Sequence, residues 1–189
     1  MFCYTAAVPV HVAMDPPIGQ AAEQHALAEL ARANGIIDQL KRTSPAVRHL
    51  MRQLRQHLSE HQRTVIEDQL ENEFEAALYQ GGVPPGMVPE LALMLAHNVV
   101  EDIQMVLAEH GDSIVVYFLC RTVKTLFRLG QMITSGLMHS VFAVVIECQS
   151  RTTVDVYVRA DDFNLRLLCI SSPQQKGFLF DPQLLILKL

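Results

Sequence analysis

The five residues His57-Leu58-Ser59-Glu60-His61 carry the most specific chemical pattern in this chain. They fit H-x-x-E-H, an order of ligands suited to zinc. On one continuous helix the two imidazoles would lie a turn apart and could share a Zn²⁺, with the glutamate as general base on a bound water. Only three positions are fixed, in a chain holding eight histidines, and no third ligand is marked downstream. His57, Glu60 and His61 are therefore a weak metal candidate. The sequence predicts no metal, no cofactor and no catalytic residue, with these side chains standing on a solvated helix face.

Other chemistry is thinly represented. No phosphate-cradling glycine loop and no nucleophile elbow is present. Cys3, Cys120, Cys148 and Cys169 are scattered, form no C-x-x-C pair, and sit mostly in apolar surroundings, where a buried free thiol is expected. The start of the chain lacks the basic-then-apolar pattern of a signal peptide. Together these predict a reducing, intracellular setting, cytoplasmic or nuclear.

Two sets of cations recur at helical spacing: Arg48, Arg52, Arg55 and Arg63, then Arg121, Lys124 and Arg128. Either could follow phosphates, as in shape-reading binders of double-stranded RNA, touch anionic lipid, or serve as partner contacts. The chain as a whole carries a net charge of −5, which gives no global attraction to nucleic acid.

The elements that hold these residues follow from periodicity. Residues 1–19 are proline-bearing and aperiodic, an extended arm whose Tyr4, Val8, Val10 and Val12 could add an edge strand. Residues 20–42 are an Ala-rich helix, open to interruption at Asn34-Gly35. Ser44-Pro45 starts the next helix, and an apolar stripe from Val47 to Leu78 predicts one long, coiled-coil-like helix over 45–79. Its first half is basic and its second acidic, against the helix dipole. An antiparallel partner of the same kind would match base to acid.

Gly81-Gly82-Val83-Pro84-Pro85-Gly86 sets the clearest boundary, dividing a helical region (20–80) from an α+β core (89–189) across a loop at 81–88. A further helix is predicted from Pro89 to Leu107, and another over 113–136 with Asp112 as N-cap. Residues 140–148, 152–159 and 163–170 read as strands of a small antiparallel meander packed on the 113–136 helix. Tyr157, Leu168 and Ile170 fall on its outer face, as candidate apolar contacts with another subunit. A last strand is expected within 177–189. The predicted class is thus α+β, with four to five helices followed by the meander and no membrane-spanning segment.

Half of the 189 residues are hydrophobic, which is high for a free-standing monomer. The leading expectation is a non-enzymatic interaction or assembly protein, adaptor-like, that forms a homodimer and binds other proteins. The alternative is an RNA-binding protein that uses the arginine stripes. A zinc hydrolase at His57, Glu60 and His61 is third.

Overall fold

The computed structural model of the chain describes residues 6–108, 114–150 and 155–160. The class is α+β, with six helices and a four-stranded antiparallel sheet among the described residues. The order is β1 (Ala6–Asp15), α1 (Gln20–Thr43), α2 (Pro45–Gln53), α3 (Glu60–Gln80), α4 (Val88–Val100), β2 (Ile103–Ala108), β3 (Ile114–Cys120), α5 (Val123–Thr134), α6 (Leu137–Ser150) and β4 (Asp155–Ala160).

The sheet order β2-β3-β1-β4 places the first strand in the middle. The stretch expected as an arm or an edge is a central strand. Val8, Val10 and Val12 are wholly buried and stand opposite Phe118, Val116 and Ile114 of β3. Pro9 lies within the strand, opposite Tyr117 of β3. Among the described residues only β2 and β3 pair as sequence neighbours, and 140–148, the first expected strand of the meander, is helix. Within β4 the alternation holds, with Val156 and Val158 buried and Asp155 and Tyr157 exposed. Leu168, Ile170, the strand expected at 163–170 and the one within 177–189 lie outside the described residues, as does Asp112.

Four predicted elements are corrected. Residues 114–120 are strand, not helix: this strand is covered on both faces, so it reads as a continuous apolar run without alternation. The helix behind it begins at Val123, where Thr122 Oγ1 accepts the Thr125 N–H at 3.0 Å. Residues 140–148 are helix, not strand. Met138, Val141, Phe142, Val145 and Ile146 are its buried positions, at helical spacing, and that period overrides the β-branched composition. The helix from Pro89 ends at Val100. Asp102 then takes a left-handed conformation (φ 55°) and the chain switches to period two, Ile103 and Met105 in, Gln104 and Val106 out.

The long helix over 45–79 is two helices. Residues 54–59 break it, although Leu54 and Leu58 still pack on the core and so carry the apolar stripe across the break. Ser59 restarts the helix with a capping box: its Oγ accepts the Gln62 N–H at 3.3 Å while Gln62 Oε1 accepts the Ser59 N–H at 2.9 Å. The break also removes the apparent conflict with the dipole, because Arg52 now sits in the last turn of α2 and Glu60 in the first turn of α3. Ser59→Ala should lower stability by about 1 kcal/mol in urea unfolding, without change in the transition's slope. Asn34-Gly35 does not interrupt α1.

A Schellman-type stop ends α3. Gly82, at φ 73°, lets its own N–H reach the Tyr79 carbonyl and the Val83 N–H reach Leu78. Residues 81–87 then deliver the chain into α4, whose Leu91, Ala92, Met94, Leu95 and Ala96 are almost fully buried. One continuous core joins α4 to the inner face of the sheet and to the buried stripes of the other helices. Among the described residues no single helix is long and apolar enough to cross a membrane. Only α5 and α6 together approach that length, bent at 58°.

Candidate binding surfaces

The break between α2 and α3 takes the zinc pattern apart. His57 lies in the non-helical link and His61 in the first turn of α3, so the two imidazoles do not share one continuous helix face. Among the described residues no three His, Cys, Asp or Glu side chains stand together as a metal site. Neither described thiol is activated as a nucleophile. Burial pushes Cys120 up to about 12, and Cys148 is raised by burial and then by Glu147 and Glu90. Cys3 and Cys169 lie outside the described residues.

The arginine stripes separate into tied and untied members. Arg63 donates from Nη2 to the Val100 carbonyl at 2.7 Å and lies 3.8 Å from Glu101 Oε2. Arg128 Nε approaches the same carboxylate oxygen at 3.5 Å. Glu101, its side chain 10% exposed, thus fastens α3 and α5 to the end of α4. These two arginines hold the fold together.

Arg48, Arg52 and Arg55 are exposed and form no ion pair among the described residues. With Lys41, Pro45 and Met51 they ring an open hollow of about 470 Å³. Arg52 Nε donates only to the Arg48 carbonyl, at 3.4 Å, and Lys41 pairs with Asp38 at 3.0 Å. Arg121 and Lys124 are also exposed, at the entrance to α5.

The matching acidic surface is α3. Val65, Asp68, Asn72, Glu75 and Tyr79 follow one another at helical spacing along its outward side, with Val65 41% and Tyr79 48% exposed. Glu67 holds His97 Nδ1 at 2.7 Å. Glu71 is held above the usual carboxylate range, first by burial and then by Glu75, Asp68 and Glu67.

That shift fixes a sign. A carboxyl whose folded value is raised gives its stabilising contribution below its ordinary value of 4.5, and loses it as pH climbs through the raised value. Glu71→Gln should therefore stabilise the protein at pH 7, by about 0.3–0.5 kcal/mol from relief of the i,i+4 repulsions. The advantage should vanish below pH 4.5, as thermal melts across pH would register.

The chain matches no known protein family, no characterised protein and no solved structure. Function therefore rests on the surfaces themselves.

Beside the basic hollow, and sharing Lys41 and Met51 with it, lies a narrower cleft of about 200 Å³ between α1, α4 and β2. Asn98 is in its wall, 4% exposed, with neither Nδ2 nor Oδ1 hydrogen-bonded. Asn34 Nδ2 donates across it to the Met105 carbonyl at 3.3 Å. Sequence reasoning missed Asn98, Asn34 and Lys41. The available signal was a lone amide set inside the apolar run from Leu91 to Val100. On the far side of the sheet, Tyr157 is 54% exposed on β4, opposite Ala13 of β1.

Proposed function

We propose that this protein is a non-enzymatic association module that pairs with a second copy of itself and binds other proteins. The supporting observation is the separation of charge on its surface. Among the described residues Arg48, Arg52 and Arg55 form no ion pair, and the Asp68–Glu71–Glu75 ridge has no lysine or arginine paired with it. Each surface is the complement of the other, yet the fold keeps them unpaired within one chain. Val65 and Tyr79 add exposed apolar area to the acidic side, and tyrosine is favoured at interfaces. The apolar content is not by itself the support, since among the described residues much of it lies in one core.

Sedimentation velocity in low and high salt tests the proposal. Mass should rise with concentration and fall back toward the monomer at 1 M salt, where screening acts within about 3 Å. A clean monomer at tens of micromolar in low salt would remove it.

A second reading is kept for one observation, the hollow ringed by four cations. Such a ring also suits the phosphates of RNA. Salt-dependent RNA binding, lost on Arg48→Ala/Arg52→Ala/Arg55→Ala, would favour that reading over protein association.

A further inference from the structure

We propose that the cleft at Asn98 and the basic hollow beside it form one site for a nucleoside phosphate, with adenine as the preferred base. The inference stands apart from self-association, because its deciding residue lies in the cleft and not on the arginine surface.

The first observation is the orphaned amide. A primary amide buried without partners is uncommon, and each instance requires an account. Asn98 offers one donor and one acceptor side by side, both unused. That pair matches a base edge: an asparagine can bond adenine through its N6 and N7 at once. Water does not reach either atom, so ligand entry must be accompanied by a turn of the Asn98 side chain into the cleft.

The second observation is the setting. Met51, Leu95, Val99 and Ile103 give the cleft apolar lining for the face of a flat ring, beside the charged Asp38, Asp102 and Arg121. Lys41 and Met51 also line the hollow of Arg48, Arg52 and Arg55, so the two spaces adjoin at those side chains. Guanidinium forks suit phosphate oxygens bidentately. A narrow cleft for a base beside a wider cationic space for phosphates is the layout of a nucleotide. The hollow, about 470 Å³, is of the size that small-molecule sites take, whereas the cleft, about 200 Å³, reaches that size only together with it.

An added peptide strand fits less well. Among the described residues β2 is an edge strand and it lines the cleft, but its Met105 carbonyl is already bonded to Asn34, which interrupts any new ladder there.

Calorimetry on the full chain with four probes tests this: AMP, ATP, adenosine and tripolyphosphate. ATP and AMP should bind, with adenosine and tripolyphosphate each about 10-fold weaker or more, since each meets only half of the site. Asn98→Leu should leave the melting temperature unchanged or raised, because it removes an unpaired buried amide. It should weaken AMP about 10-fold and leave tripolyphosphate untouched. If Asn98→Leu fails to fold, Lys41→Ala at the junction should weaken AMP and ATP alike, and an unchanged affinity there would count against the site. A single-stranded oligoadenylate binding more tightly than AMP would identify the source as RNA; weaker binding would identify the free nucleotide. Equal affinity for ATP and tripolyphosphate, with Asn98→Leu indifferent, would overturn the proposal and leave only a polyanion surface. So would the absence of binding by all four at millimolar concentration.

Discussion

A chain carrying Val10→Asp will show no cooperative unfolding transition, whereas one carrying Ala13→Asp will unfold nearly as the native protein does. The two residues sit on one strand and face opposite ways. Val10 is wholly buried at the centre of β1, opposite Val116 of β3 and Ala160 of β4. A carboxylate there would be unpaired in the core, at an effective penalty of several kcal/mol per ion. A domain of this kind has about 5–15 kcal/mol in total, so the substitution removes most or all of the stability. Ala13 lies on the outer, exposed face beside Tyr157. A charge there should cost within about 0.5 kcal/mol. Urea titration followed by circular dichroism separates the cases. If Val10→Asp unfolds with a native-like midpoint, β1 does not sit between two strands and the sheet order given above is wrong.

That contrast also marks where the sequence was readable. Local signals were legible: Ser44-Pro45 as a helix start, the glycine pair at 81–82 as a stop, and the class as α+β. The break before Ser59 went unread, because Leu54 and Leu58 kept the apolar stripe going across it. Strand β3 was not legible as a strand. Burial on both faces removes the alternation that distinguishes a strand, and a short run of seven residues fits either period. In α6 composition and period disagreed, and burial on one side of a helix decided for period.

What no local pattern announces is the placement of β1 between β3 and β4, because pairing across more than 100 residues is a property of the whole chain. The candidate site divides the same way. Arg48, Arg52 and Arg55 were visible by spacing, and so were Arg63 and Arg128. Only the folded chain separates the three that face solvent from the two that Glu101 holds.

The freedom of those three arginines leads to the second large effect. Arg48→Glu/Arg52→Glu/Arg55→Glu and Asp68→Arg/Glu71→Arg/Glu75→Arg should each abolish self-association, and an equimolar mixture of the two should restore it. Under a two-fold axis each copy presents its basic face to the partner's acidic ridge, and the two equivalent contacts close a dimer. In the first variant both surfaces are acidic, and in the second both are basic. Each therefore repels its own kind, while the mixed pair is complementary at both contacts. Close charge pairs across an interface couple by about 1.5 kcal/mol or more. Losing several partly screened pairs and adding repulsion should weaken the homodimer by at least about 100-fold. Sedimentation velocity at low salt would read the two variants as monomers and the mixture as a heterodimer. General damage to folding cannot mimic this, because two unfolded chains do not repair each other. If both variants still dimerise alone, the charged surfaces are not the interface. If neither does and the mixture stays monomeric, the arginines and the acidic ridge are not partners. The nucleoside-phosphate site makes a linked demand, since a phosphate held by Arg48 and Arg52 competes with the partner's carboxylates. ATP should then shift the native dimer toward monomer, while leaving the Asn98→Leu dimer about 10-fold less sensitive.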